Sequence, residues 1–284
     1  MTMVTFKKIF PKFSLAYLRK MRSLLYGFFD TFKPYLNNMK YCGFDLYYGR
    51  GNGLIERIRF GSPDRIYERE LCEKVVNELE KTEQKLFLDI GANIGLISLY
   101  VASKVLDAHI YAFEPGDNQS ELFSITIFAN QLGERIKLFR QGVSNISGRT
   151  NFVSHEDWAS CGDGLINTGR GEKFKNIEID VVTLDEWWAG IGKPMINVIK
   201  IDTEGAELFI LDGGHYFIQH CQPVIFLEIS LLNLKNYPYN HRDIYVWFEQ
   251  NGYDLFSLSG GKCTLNNLDS LVASDDSFVA KPKK

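Results

Sequence analysis

The middle of the chain alternates short apolar runs with segments of helical periodicity. The apolar runs cover residues 86–90, 109–113 and 136–140, and the helical segments between them cover residues 94–105 and 118–132. Strands that are apolar on both faces belong in a parallel sheet, and a helix between two such strands provides the crossover. The pattern therefore predicts a parallel sheet that is covered by helices on both faces.

Four further apolar runs bring the predicted sheet to seven strands. They cover residues 197–201, 224–228, 253–258 and 277–280, with helices predicted over residues 206–217 and 243–251. No helical segment is apparent between the last two runs, so we expect them to form a closing antiparallel hairpin. The predicted fold class is α/β, with a doubly wound, mostly parallel seven-stranded sheet and an N-terminal helical extension. In such a sheet a ligand binds beyond the C-terminal ends of the strands.

Residues 1–66 are expected to form an N-terminal extension, and residues 67–284 the main domain. Residues 1–40 contain eight basic side chains and one acidic side chain, whereas the remainder contains 24 basic and 34 acidic side chains. Apolar residues recur there at spacings of three and four, which predicts an amphipathic helix; they are Leu18, Met21, Leu25, Phe28, Phe32 and Tyr35. The glycine-rich residues 41–66 predict a short hairpin, and Pro63-Asp64 is expected to open a helix of about 18 residues.

The basic amphipathic segment has two interpretations, which the sequence leaves open. It is either a helix that lies on anionic lipid through residues 1–40, or a helix that packs its apolar stripe on the main domain. No secretory signal and no spanning segment are apparent in the sequence. The expected location is cytoplasmic, and under the first interpretation it is the inner face of the membrane.

Composition excludes several classes of protein. Hydrophobic residues make up 45% of the chain and charged residues 24%, as in ordinary globular proteins. The five cysteines include no C-x-x-C pair, so neither a structural zinc site nor a disulfide framework is predicted. The acidic main domain is unsuited to a phosphate backbone, so we expect no nucleic-acid partner.

The loop after the first predicted strand reads Asp89-Ile-Gly91-Ala-Asn93-Ile-Gly95. Its glycines permit a tight turn and a close approach to the following helix, whose free N–H groups can receive a polar ligand. The spacing matches neither the dinucleotide pattern G-x-G-x-x-G nor a phosphate-binding P-loop. The loop therefore predicts a nucleoside ligand that has no pyrophosphate.

The second predicted strand ends in Phe113-Glu114-Pro115. A carboxylate at this position can accept hydrogen bonds from both hydroxyls of a ribose. Pro115 restricts the turn and offers an apolar face to an adenine ring. The second loop therefore supports the nucleoside prediction made from the first.

These motifs together resemble class I methyltransferases that use S-adenosylmethionine, and more narrowly the FkbM family of O-methyltransferases. The resemblance rests on residues 89–95 with Ser98, residues 113–115, Asn130, and Lys200-Ile-Asp-Thr-Glu-Gly-Ala-Glu207. It extends from about residue 67 to residue 230 and leaves residues 1–66 unexplained. The family is associated with methylation of hydroxyl groups on sugars, on glycolipid or polysaccharide units and on polyketide-type products.

The resemblance also implies the cofactor-binding residues. Gly91, Asn93 and Gly95 would border the methionine part of S-adenosylmethionine, and Asp89 would orient that loop or meet the amino group indirectly. Glu114 would hold the ribose, with Pro115 beside it. The stretch after the third strand would lie near adenine; it contains Gln141, Gly142 and Val143. Tyr67-Glu68, ahead of the first strand, would also lie near the cofactor.

Methyl transfer to a hydroxyl requires a general base, because an alcohol is a poor nucleophile until its proton begins to leave. Asp202, at the end of the fourth predicted strand, is the first candidate for the base or for orienting the acceptor. Glu204 and Glu228 are further candidates, whereas Glu207 suits capping of the next helix. A less favoured alternative is a divalent metal held by Asp202, Glu204 and Glu228.

The expected acceptor is a saccharide or a glycolipid unit, because aromatic side chains near the predicted loops suit the CH face of a sugar. His155 and His241 lie in polar loops and are read as surface histidines, with a place in the acceptor pocket as the alternative. Trp187 and Trp188 are expected in the core. Amine methylation and a non-catalytic, cofactor-binding role remain the alternatives, and the oligomeric state stays open.

Overall fold

The computed structural model of the chain describes residues 36–49, 52–61, 65–155, 162–169 and 174–283. The predicted amphipathic helix of the extension lies outside these residues, as do Pro63-Asp64. Within the described residues the strands are β1 (Leu36–Tyr41), β2 (Phe44–Gly49), β3 (Leu86–Ile90), β4 (His109–Phe113), β5 (Ile136–Phe139), β6 (Gly142–Val143), β7 (Gly148–His155), β8 (Phe174–Val182), β9 (Val198–Ile201), β10 (Val224–Glu228), β11 (Tyr253–Ser257) and β12 (Ser277–Pro282).

The helices pack around these strands. They are α1 (Gly53–Glu56), continued by a π-helical turn over Arg57–Gly61, then α2 (Arg69–Glu80), α3 (Leu96–Lys104), α4 (Asp117–Ala129), α5 (Leu184–Gly190), α6 (Glu207–Asp212), α7 (His215–Cys221), α8 (Leu231–Leu234), α9 (His241–Gln250) and α10 (Leu268–Ser274).

The main sheet has seven strands in the order β11-β12-β10-β9-β3-β4-β5. Strands β3, β4, β5, β9 and β10 run parallel, while β12 is antiparallel to both β10 and β11. Within this sheet the first strand along the chain is β3, near the centre. The next strands, β4 and β5, lie on one side of β3, and β9 lies on its other side. The prediction of a doubly wound, mostly parallel seven-stranded sheet is confirmed.

The core lies on both faces of this sheet because successive strand side chains point to opposite sides. In β3, Phe87 belongs to one buried cluster while Leu88 and Ile90 belong to the other. In β4, Ile110 and Phe113 divide in the same way. This double burial explains why these strands read as continuous apolar runs.

Three predictions about elements in the second half and around α2 were wrong. Helix α10 lies between β11 and β12, so their antiparallel pairing is not a simple hairpin. The helix predicted over residues 206–217 is two helices, α6 and α7, because Asp185 accepts hydrogen bonds from the N–H groups of Tyr216 and Phe217 and caps a new start. Helix α2 has 12 residues, since Glu68 ahead of it is left-handed with φ 42°.

A second, three-stranded sheet, which the sequence analysis did not predict, occupies the connection between β5 and β9. Its strands are ordered β6-β8-β7, with β7 antiparallel to β8. Phe152, Ile179 and Val181 form a small apolar cluster on it. This sheet places Phe152 and Ile179 beside the main sheet's C-terminal edge, where they line the cavity described below.

A hairpin is present as predicted, but it begins earlier than the predicted residues 41–66, because β1 covers Leu36–Tyr41; it docks on helix α4. Asn130 donates to the Asp45 carbonyl and accepts from the Asp45 N–H, both at 2.8 Å. The Tyr47 N–H donates to the Thr126 hydroxyl at 3.1 Å. The apolar side chains of the hairpin belong to the same buried cluster as Phe87 of β3. This part of the N-terminal region therefore packs on the main sheet.

Among the described residues, no helix combines the length and the apolar character that crossing a membrane requires.

Gly95 marks the start of α3, and its close contact with α4 yields a stability test. Its φ is +86°, and a Cβ there would lie 2.1 Å from the Phe123 ring. We expect Gly95→Ala to lower the free energy of unfolding by about 2–4 kcal/mol, from left-handed backbone strain plus overpacking. Urea denaturation measures this.

Gly192→Ala is the matched control. Gly192 has the same φ of +86°, but a Cβ there would meet no atom within 4 Å. The control should therefore lose only the backbone part, about 1–2 kcal/mol. Equal losses in the two variants would show that the Phe123 contact is unimportant.

Candidate active site

A cavity of about 360 Å³ opens at the C-terminal ends of the central strands. This is the edge at which an open α/β sheet binds its ligand, and the volume lies in the range of small-molecule sites. Ten of the twelve residues predicted for the site line it: Gly91, Asn93, Glu114, Pro115, Gln141, Gly142, Val143, Asp202, Glu204 and Glu228. Asp89 and Gly95 do not, and Gly95 instead packs against Phe123.

The loop after β3 lies directly against the loop after β9. Gly91 has φ +78°, and a Cβ there would lie 1.8 Å from the Asp202 carbonyl oxygen. The N–H groups of Gly91 and Ala92 both donate to the Phe113 carbonyl, at 3.0 and 2.9 Å. Only glycine permits this approach, so Gly91 joins the ends of three neighbouring strands.

Glu114, at the end of β4, is held by backbone donors on both carboxylate oxygens. Its Oε2 accepts from the Asn93 N–H and its Oε1 from the Gly116 N–H, each at 2.8 Å. Burial raises the pKa of Glu114 to about 7 against the opposing effect of these two hydrogen bonds. The carboxylate is therefore fixed in orientation, and its ionisation falls near neutral pH.

Lys200 of β9 is a functional residue to which the sequence analysis gave no role. Its Nζ donates to the Gly91 carbonyl at 2.8 Å and lies 3.3 Å from Asp202 Oδ2 and 3.5 Å from Asp89 Oδ1. Burial lowers the pKa of Lys200, but Asp202 and Asp89 outweigh it and the pKa is raised. A lysine inside the apolar run Val198–Ile201 was the signal that could have revealed it.

Asp89 lies beneath the cavity rather than in it. It is fully buried, and its Oδ2 accepts from the Ser98 hydroxyl at 2.6 Å. Through Lys200, which also holds the Gly91 carbonyl, Asp89 contributes to the position of the loop. Of its two expected roles, this geometry fits orientation of the loop.

The side of the cavity formed by the ends of β9 and β10 concentrates carboxylates around Asp202. Glu228 accepts from the Asn233 amide at 2.8 Å. Burial, followed by repulsion from Asp202 and Glu204, raises the pKa of Glu228 far above its ordinary value. Glu68 and Asp276 also line this side; the sequence analysis placed Glu68 near the cofactor and missed Asp276.

The turn that carries Asp202 is stabilised from below by Glu207. Glu207 Oε1 accepts from the N–H and hydroxyl of Thr203, at 3.1 and 3.0 Å, and from the Gly205 N–H at 3.2 Å. Burial raises its pKa to about 7. The Tyr239 hydroxyl donates to the Gly205 carbonyl on the same turn. Glu207 thus caps the turn ahead of α6, as its position indicated.

None of the described histidines or tryptophans lines the cavity. His155 is buried, contrary to the surface prediction, because Asp163 accepts from its N–H at 2.7 Å and its ring lies 3.0 Å from the same carboxylate. His241 contacts Asp269 at 2.7 Å. Trp187 and Trp188 are core residues, which confirms that prediction.

No group of three or more His, Cys, Asp or Glu side chains within the described ranges has the arrangement of a metal site. The carboxylates of Asp202, Glu204 and Glu228 share the cavity without forming such a group.

Comparison with known families decides the relationship of the chain. A family model described as "Methyltransferase FkbM domain" matches residues 89–255. The chain belongs to the FkbM methyltransferase family. The match begins within β3 and ends within β11, so it includes both loops that line the cavity and the Asp202 turn.

Curated relatives agree with this assignment. "Methyltransferase sdnD" of Sordaria araneosa is 30% identical over 153 residues, which cover 44% of this chain and 59% of that protein. "Hexuronic acid methyltransferase AglP" of Haloferax volcanii is 28% identical over 158 residues, covering 56% and 61%. The chain thus spans about three fifths of the length of these two relatives. Among solved structures, an FkbM methyltransferase from Methylobacillus flagellatus matches 69% of this chain and 42% of that one, at 17% identity and a TM-score of 0.42.

The raised pKa of Glu114 predicts a pH-dependent affinity for the cofactor product S-adenosylhomocysteine. Ribose hydroxyls donate more strongly to an ionised carboxylate, and the ionised fraction of a group with a pKa of about 7 rises roughly tenfold from pH 6 to pH 8. We therefore expect calorimetric titration to show affinity increasing up to about tenfold over this interval.

Glu114→Gln should weaken binding by about 10- to 100-fold, as expected for a lost charge-assisted pair, and flatten the pH dependence. Glu121→Gln on α4, outside the cavity, serves as the control and should bind like the unaltered protein. An unchanged pH slope in Glu114→Gln would assign the titration to another group.

Proposed function

We propose that the protein transfers a methyl group from S-adenosylmethionine to a hydroxyl of a saccharide or of a glycolipid or polysaccharide unit. The observation that carries this proposal is one cavity that joins the backbone-held carboxylate of Glu114 to the carboxylates around Asp202. Family membership supports methyl transfer, and the name of the Haloferax relative supports a saccharide acceptor.

The residues present fit S-adenosylmethionine. Glu114 would hold the ribose hydroxyls, and Gly91 and Asn93 would border the methionine part. Gly142 and Val143, with Phe113 beside them in the lining, would form the apolar adenine side. When bound, the cofactor supplies an electrophilic methyl group on a sulfonium.

Asp202 is the proposed base. Its side chain is 30% exposed and borders the cavity, and Lys200 holds one of its oxygens at 3.3 Å. The ion pair limits the side chain's rotation, so that Asp202 can accept the hydroxyl proton in a defined direction. Glu228, whose raised pKa favours its protonated form, would donate a hydrogen bond that orients the acceptor.

A second proposed partner, besides the acceptor, is a membrane surface. Contact of residues 1–40 with anionic lipid would bring a lipid-linked acceptor to the cavity from the cytoplasmic face. Sedimentation with anionic liposomes tests this: we expect binding that is lost on deletion of residues 1–35 and at high salt. Binding that persists after the deletion would reject it.

The catalytic test is Asp202→Asn in a methyl-transfer assay with saccharide acceptors. Loss of a general base lowers the rate by about 10²–10⁴-fold. We expect kcat to fall by this factor while S-adenosylhomocysteine affinity, measured by calorimetry, changes less than about threefold.

Asp254→Asn is the matched control, because Asp254 lies on β11, away from the cavity, and pairs with Lys262. It should keep full activity. Full activity in Asp202→Asn would place the base elsewhere, and a folded protein that binds no S-adenosylhomocysteine would contradict the proposed function itself.

A further inference from the structure

The cavity lining contains far more acidic than basic side chains. Among the described residues its ionisable lining contains one cationic side chain, Lys200, and seven carboxylates: Glu68, Glu114, Asp163, Asp202, Glu204, Glu228 and Asp276. Glu68 and Asp276 are exposed, so they face space that a ligand can enter. The excess is concentrated on the side of Asp202, where the acceptor would bind.

Lys200 has no capacity left for an anionic acceptor. Its side chain is only 4% exposed, and its ammonium already contacts the Gly91 carbonyl, Asp202 and Asp89. Among the lining residues that the structure describes, an acceptor carboxylate or phosphate would therefore meet carboxylates and no free protein cation to compensate it.

The carboxylates already repel one another without an acceptor. Burial, followed by repulsion from Asp202 and Glu204, raises the pKa of Glu228. A second void of about 40 Å³ lies against Glu68, Glu228 and Asp276. These groups therefore border open space, in which a cationic or neutral polar group would be favoured over an anion.

We propose that this site selects acceptors by charge: it takes a neutral or amine-bearing saccharide unit and rejects sugar phosphates and uronic acids. In this it would differ from the Haloferax relative, whose name states a hexuronic acid. The proposal rests on the proposed function and narrows its substrate class. Its physical basis is repulsion of like charges in a partly desolvated cavity, which is an effective way to reject a competing substrate.

The test uses the full chain, S-adenosylmethionine and methyl glycosides in matched sets. Each set contains the neutral sugar, its 2-amino derivative and its uronic acid, in the gluco, galacto and manno series. The readouts are kcat/KM and, separately, binding of each glycoside to protein saturated with S-adenosylhomocysteine. We expect uronic acids to be at least tenfold poorer than the neutral sugars of their series, and amino sugars to equal or exceed the neutral ones.

Uronic acids that react or bind as well as neutral sugars would overturn the charge selection while leaving methyl transfer intact. Charge-selective binding without turnover would support the selection and contradict the proposed reaction. A panel in which no glycoside binds or reacts would remove saccharides as acceptors, and the inference with them.

Charge-neutralising variants assign the selection to named residues. Glu68→Gln and Asp276→Asn should each raise the uronic-to-neutral ratio of kcat/KM several-fold, and added salt should raise it in the unaltered protein. Glu80→Gln, at the exposed far end of α2, is the control and should leave the ratio unchanged. Unchanged ratios in both cavity variants would show that their charges do not select the acceptor.

Discussion

A buried lysine cation holds the two central strands of the sheet together at their C-terminal ends. Lys200 on β9 contacts Asp89 on β3, Asp202 beyond β9 and the Gly91 carbonyl. An ammonium without such partners would be too costly to bury, and removal of one partner would leave an uncompensated charge. Loss of any one of these groups is therefore expected to destabilise the junction between β3 and β9.

This constraint couples the two sides of the cavity. The Gly91 backbone lies so close to the Asp202 carbonyl that no side chain fits between them, and the Asp202 N–H donates to the Ile90 carbonyl at 3.1 Å. The loop expected to border the cofactor and the residue expected to act on the acceptor therefore form one structural unit. Their relative position depends on packed backbone as well as on the buried Lys200 ammonium.

The region ahead of the family match completes the cavity. The matched residues begin at Asp89, yet Leu54, Tyr67 and Glu68 also line the site. The hairpin that precedes them is held against the end of α4 by two reciprocal hydrogen bonds between the Asn130 side chain and the Asp45 backbone. The site is thus shared between the common domain and a segment outside it, and Glu68 brings part of the negative charge.

The amino-acid pattern along the chain was enough to predict the strands and helices of the main sheet and the order of the motifs along its edge. Local periodicity and position at a strand end are sufficient to predict such features. For this reason Glu114 and Asp202 were predicted as site residues, and both line the cavity. Helix α10 was missed because it has only seven residues, and β7 and β8 were missed because at least half of the side chains in each strand are not buried, which leaves a weak apolar pattern. Three-dimensional packing was needed to show that Asp276, from the turn before β12, lies beside Glu228 of β10 and Glu68. It was also needed to show that Gly95 packs on Phe123 and that Lys200 reaches Asp89. These contacts join residues far apart in the chain, and they depend on the order of strands in the sheet, which no local pattern contains.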